Sequence, residues 1–136
     1  MTDKELGELL NLLLEAERAG AKLLAAWLDE LPSQSTLFAP LRDVQRDEAR
    51  NCTVLIDCLL EAGAVPSRRT GDFYDKALPI RDWRERLAFL NRGQAWVARR
   101  IAAALPHIQN PAAKTALQEM HDSHFANIER CKELGA

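Results

Sequence analysis

The sequence has little with which to break a helix. Its 136 residues include six prolines and six glycines, so turn-dense β architectures are excluded and long uninterrupted helices are allowed. Cysteine is scarce and odd in number, three residues, which suits reduced thiols in a cytoplasmic protein better than a disulfide scaffold. No apolar run approaches the ~20 residues needed to span a bilayer, so no membrane anchor is expected. The opening residues, MTDKELGELL, are acidic and amphipathic where a secretory leader would be basic and then apolar. Neither sign of charge dominates. Eighteen Lys and Arg face twenty Asp and Glu, for a net charge of −2, which argues against nucleic acid or an anionic membrane as partner. Arg42, Arg46 and Arg50 form a row at i,i+4 spacing, but Asp43 and Asp47 interleave them, as on a solvated, salt-bridged face. There is no Gly-rich phosphate loop, no CxxC and no nucleophile–base pair.

What is present is helical periodicity. The composition, 47% hydrophobic and 28% charged, supports one domain over residues 1–136 with a real core. Thr2 with Glu5 three later announces a first helix. Its stripe runs Leu6, Leu10, Leu13, Leu24, Trp27, Leu31 and stops at Pro32. A second is predicted from about Thr36 to Ala62, with Gly63 as its stop. A third starts at Asp82, carries Trp83, Leu87, Leu90, Val97 and Ile101, and stops at Pro106. A fourth starts at Asn110-Pro111, an N-cap followed by proline, and runs to about Leu134. Strand signals are absent.

Short loops make the first and second helices antiparallel, and likewise the third and fourth. The 18 residues AVPSRRTGDFYDKALPIR separate the two pairs. Extended, they reach ~60 Å, and a helix of ~26 residues is about 39 Å long. The connection can therefore run back along the whole bundle and leave the second and third helices parallel. The competing arrangement is a loose excursion at one end. Phe73, Tyr74, Leu78 and Ile80 favour the crossover, because they need something to pack on. The prediction is an all-α four-helix bundle with one long crossover.

The apolar stripes have polar interruptions near their midpoints. These are Glu17 in the first helix, Gln45, Glu48 and Cys52 with Asn51 beside them in the second, Gln94 in the third, and His121 with His124 in the fourth. Midpoints of packed helices share one level, so these side chains should converge at the bundle centre. Carboxylate and imidazole together in a dry core suit iron, manganese or zinc, and i,i+3 pairs share a helix face. A buried hydrogen-bond network is the other arrangement: Asn51 and Gln94 donating to Glu17 and Glu48, with the histidines satisfied among them. A weak internal repeat aligns Glu48 with His121, Asn51 with His124, Cys58 with Cys131, and Glu17 with Gln94.

This pattern resembles the ferritin-like superfamily, in its rubrerythrin and di-iron carboxylate members. Those place a Glu, a Glu-x-x-His, a Glu and a Glu-x-x-His on successive helices. Glu17 and Glu48 match the first two glutamates and His124 the last histidine. Asn51 stands where a histidine is expected, and Gln94 and His121 stand for glutamates. The chain is also similar to an uncharacterised family of short bacterial ferritin-like proteins. The resemblance implies a divalent metal, iron first, held by Glu17, Glu48, His121 and His124 with Asn51, Gln94 and Cys52 weaker. It also implies dioxygen or peroxide chemistry or iron handling. The rival is a non-enzymatic helical module with a degenerate site, acting by self- or partner association. Cys52, Cys58 and Cys131 are otherwise small core residues and His107 is solvated. Tyr74 belongs to crossover packing or leans over the site. Trp27, Trp83 and Trp96 belong to the core or to a homodimer face.

Overall fold

Each helix starts where the sequence offers its amides a partner. In a computed structural model describing residues 1–136, α1 spans Asp3–Asp29. The Thr2 hydroxyl accepts from the Glu5 amide at 3.1 Å, and the Glu5 carboxylate accepts from the Thr2 amide at 2.9 Å. Two of the four free amides of the first turn are thereby met. Helix α2 spans Phe38–Glu61 and gives way to Gly63 at φ 74°, a left-handed conformation that glycine adopts at least cost. A short α3, Phe73–Ala77, lies inside the crossover. Helix α4 spans Trp83–Ala104, capped by Asp82, and a 3₁₀ turn follows at Leu105–His107. Helix α5 spans Pro111–Glu133, where Asn110 accepts from the Ala113 amide at 3.0 Å.

The crossover reads out the topology. Leaving α2, the chain passes Gly7 at Ala64, so the end of α2 lies beside the start of α1. It then climbs α1. Asn11 donates to the Val65 carbonyl at 3.1 Å and accepts from the Ser67 amide at 2.7 Å. The Ser67 hydroxyl donates to Glu15 at 2.8 Å, and Arg18 donates to the carbonyls of Ser67 and Arg69 at 3.0 and 2.6 Å. The Gly71 amide donates to the Glu15 carbonyl at 3.0 Å, and Lys22 sits 4.4 Å from the Tyr74 ring centre. The climb ends at Glu30, which Arg81 and Arg86 approach at 3.4 and 3.1 Å. Helix α4 therefore begins at the level where α1 ends, and α2 and α4 run parallel. The crossover is a tethered strap rather than a loose excursion. Tyr74 packs on Lys22 within it.

The core is divided in two. One apolar cluster gathers Leu6, Leu10, Leu13, Leu14, Leu55, Leu59, Ile101 and Leu117. The other gathers Leu23, Leu24, Trp27, Leu41, Val44, Leu87, Leu90 and Cys131 at the opposite end. Trp27 and Trp83 enclose the buried Arg86 guanidinium, at 5.1 and 4.6 Å from their ring centres. Trp96 is the outlier of the three tryptophans, 37% exposed. All three cysteines are free: Cys131 is buried, while Cys52 and Cys58 are half-buried against the first cluster.

Candidate functional site

Between the two apolar clusters lies a layer of polar side chains with no business in a core unless they are partnered. Glu17, Glu48, Asn51, Gln94, His124 and Asn127 are all at least 96% buried. The convergence expected from the interrupted stripes is present for five of these six.

The departure is in α5. His121 is half-exposed, bonds its neighbour Asp122 at 3.1 Å and is absent from the cavity wall described below. The buried positions of α5 are 113, 117, 120, 124, 127 and 131. Those of α2 include 41, 44, 48, 51 and 55. The repeat therefore holds at an offset of 76 and not 73: Leu41 with Leu117, Val44 with Met120, Glu48 with His124, Asn51 with Asn127, Leu55 with Cys131. The three-residue slip arose because His121 and His124 suit a helix face equally well in spacing. Leu117 and Met120, read in phase with Leu41 and Val44, would have found Asn127 and released His121. The pairing of Glu17 with Gln94 holds as expected, and the same offset of 77 pairs buried Leu13 with Leu90 and Leu24 with Ile101.

The bonding within the layer is incomplete. The Glu17 Oε1 atom meets His124 Nε2 in a very short contact and accepts from Asn51 Nδ2 at 3.5 Å. Gln94 turns its amide nitrogen away, donating to Asn91 at 3.2 Å and to Cys131 Sγ at 3.8 Å. Asn127 donates to Asp47 at 3.2 Å, which Ser123 also approaches at 3.4 Å. Four buried polar atoms then have no partner: Glu17 Oε2, Glu48 Oε2, Gln94 Oε1 and His124 Nδ1. Buried polar groups are nearly always satisfied, so three open oxygens and an open ring nitrogen in one layer are an unmet demand for partners.

Gly20 explains how Glu48 fits. A Cβ at position 20 would lie 2.2 Å from Glu48 Oε2 and 2.8 Å from its carboxyl carbon. The carboxyl group of α2 occupies the space a side chain on α1 would take. Burial raises the Glu48 carboxyl well above the ordinary value, and the neighbouring Glu17 and Asp47 charges push the same way. Burial opposes charge on His124, but the Glu17 carboxylate and the hydrogen bond to it outweigh that and raise its pKa. The layer thus sets an imidazole that holds its proton more tightly than usual against Glu17, beside a Glu48 carboxyl that does the same. Burial lifts the Cys52 thiol to about 11, as it does Cys131, so neither is a ready thiolate ligand.

One face of the layer opens on a cavity of about 630 Å³ between α1, α4 and the strap. Glu17, Glu48, Gln94 and His124 line it, as do Phe73, Phe89, Leu90, Trp96 and Val97. No three of the chain's His, Cys, Asp and Glu side chains are grouped closely enough to clasp one ion as they stand.

A family model matches residues 4–133, nearly the whole chain, and is described as a domain of unknown function, DUF6306. The chain belongs to this family. The DUF6306 domain is thus all-helical, four long helices paired α1 with α2 and α4 with α5. No helix in it is long and apolar enough to cross a membrane. No curated protein and no solved structure matches it.

Proposed function

We propose that this DUF6306 domain is a ferritin-like metal-binding protein whose central layer takes one divalent cation, iron first, with manganese or zinc as substitutes. The observation that carries the reading is the set of unpartnered buried atoms: three oxygens, Glu17 Oε2, Glu48 Oε2 and Gln94 Oε1, and one ring nitrogen, His124 Nδ1. Carboxylate, amide and imidazole form the mixed donor set that borderline divalent ions favour, and a cation would meet the demand that the protein leaves open. Glu17, Glu48 and His124 would hold it, with Gln94 as a neutral oxygen. His121 lies outside the layer and is not among them. The ion would have to displace the proton that a protonated His124 carries on Nδ1 and the one Glu48 prefers to keep, so binding would release protons and strengthen with pH. The topology supports the kinship: one long crossover, α2 parallel to α4, and carboxylates on α1 and α2 at one level. In the corrected register His124 stands at the position of the second pair's glutamate and Asn127 at that of its histidine. This leaves two carboxylates where a di-iron centre has four, which favours a single ion. Bound there, such an ion would supply redox or Lewis-acid chemistry. The free cysteines suit a reducing, cytoplasmic setting.

The second reading is a helical module that has lost its metal and acts by association with itself or a partner. Two observations favour it: Glu17 Oε1 and His124 Nε2 already pair with one another, and Phe125 and Leu60 are each 60% exposed. Melting temperature with added Fe²⁺, Mn²⁺ or Zn²⁺ separates the two, because a ligand stabilises only the state that binds it. Wild type and His121→Ala should both rise, while Glu48→Ala and His124→Ala should not. No rise in wild type with any of the three ions would overturn the metal reading.

A further inference from the structure

The cavity above the layer is far larger than an ion requires. At about 630 Å³ it falls in the range of small-molecule pockets, whereas one water's share of liquid volume is about 30 Å³. Its walls and its mouth differ in kind. Leu12, Ala16, Phe89, Leu90 and Val97 make the walls apolar, and the Phe73 ring lies against Gly93, where a Cβ would come within 2.6 Å of it. At the rim stand three cations, Arg69, Lys76 and Arg92. Lys76 is committed to Asp72 at 3.0 Å. Arg69 and Arg92 form no ion pair; the Arg92 guanidinium only lies over the Phe89 ring at 5.5 Å. The rim's other acid, Glu15, is engaged by the Ser67 hydroxyl. On the floor, Glu17 is paired with His124, which offsets its charge.

We propose that this cavity binds a small organic anion, with its apolar body between α1, α4 and the Phe73 strap and its anionic group against Arg69 and Arg92. The proposal goes beyond the cation site and does not need it. Arginine suits the role because its planar fork can pair with a carboxylate or phosphate through two hydrogen bonds.

The test uses chelator-treated protein, so that the fate of the metal reading cannot decide it. Octanoate and octylamine share a chain length and differ in the sign of the head group. Octanoate should raise the melting temperature and shift the fluorescence of Trp96, which lines the cavity, with saturation. Octylamine should bind about tenfold more weakly or not at all. Reversing both rim charges, Arg69→Glu with Arg92→Glu, should weaken octanoate by about tenfold or more, the effect of losing a charge-assisted pair. The pair Arg69→Lys with Arg92→Lys should lose less than the charge reversal, because each ammonium keeps the charge but not the fork. Equal binding of octanoate and octylamine, indifference of octanoate to charge reversal, or no octanoate binding would each overturn the proposal. The first comparison needs no variant, so a charge-reversed chain that fails to fold leaves it decisive.

Discussion

Glu48 is the side chain on which the layer's electrostatics turn. It is 96% buried, it lies in the space left by Gly20, and its Oε2 has no partner. Its pKa is raised above the usual 4.5 by burial first and by Glu17 second. That of His124 is raised above 6.5 by Glu17, against the effect of burial. Both groups therefore hold protons more tightly folded than unfolded, and the folded state binds more protons wherever either titrates. Stability then falls as pH rises. For His124 the contribution is complete below about pH 6.5 and is lost as pH climbs through its folded value. For Glu48 the penalty begins above about pH 4.5 and grows until the folded group ionises. Metal-free protein should accordingly melt higher at pH 5.5 than at pH 8, and Glu48→Gln should flatten that slope and stabilise the chain at pH 8 by on the order of 1 kcal/mol. Urea denaturation at the two pH values measures both. A metal-free wild type more stable at pH 8 would contradict the protonated layer. The slope should reverse when metal is present, because the ion and the protons compete for the same lone pairs. Most of this layer was legible from interrupted apolar stripes: Glu17, Glu48, Asn51, Gln94 and His124 each break an otherwise regular pattern. Asn127 was not, because histidines at 121 and 124 fit helical spacing one turn earlier as well as His124 and Asn127 do. Gly20 was not, because a glycine's purpose here lies on another helix.

At the scale of the element, the strap and the start of α4 hold the architecture. Polar groups on α1, namely Asn11, Glu15 and Arg18, satisfy the strap's backbone from Val65 to Gly71. This is how an 18-residue connection becomes ordered with only the five-residue α3 as regular structure. Its length and hence its reach were legible from residues 64–81 alone, but these contacts join residues about fifty positions apart and no local periodicity encodes them. Just beyond the strap, on α4, stands Arg86, whose guanidinium is enclosed by Trp27 and Trp83 while donating to the Ile80 carbonyl at 2.7 Å and to Glu30. An arginine at a buried position on a helix looks like an error in the apolar stripe. It is tolerated because planar stacking and five donors let it join three elements at once. Arg86→Ala should cost about 2–4 kcal/mol, through lost packing and an unpaired Ile80 carbonyl. Arg86→Lys should recover less than half of that, since an ammonium cannot both stack and fork. Thermal unfolding of the two variants checks the order. Equal stability of Arg86→Lys and wild type would mean that charge alone matters there.

At the scale of the whole molecule, the two hairpins are copies in pattern but not in content. Offsets of 77 between α1 and α4, and of 76 between α2 and α5, bring buried positions into register along each pair. What differs is the chemistry carried at the shared level: Glu17 against Gln94, and Glu48 against His124. One hairpin supplies both carboxylates and the other supplies neutral or basic groups, so the layer is polarised across the bundle. The strap covers the side between α1 and α4, where the cavity opens.

The parallel course of α2 and α4 has a further consequence, for where the chain begins and leaves. In an up-and-down bundle of four helices both termini emerge at the same end. Here the crossover inserts one extra traverse, so Met1 and Ala136 emerge at opposite ends of a rod about as long as α1. With 27 residues in α1 at 1.5 Å each, that rod is about 40 Å long. Spin labels at Lys4→Cys and Lys132→Cys, in a background with the three native cysteines replaced by serine, should report a separation of roughly 35–40 Å. A separation under about 20 Å, expected for neighbouring ends of packed helices, would refute the topology. A domain threaded this way transmits tension along its axis. If it were fused in tandem, successive copies would extend in line, each entered at one pole and left at the other.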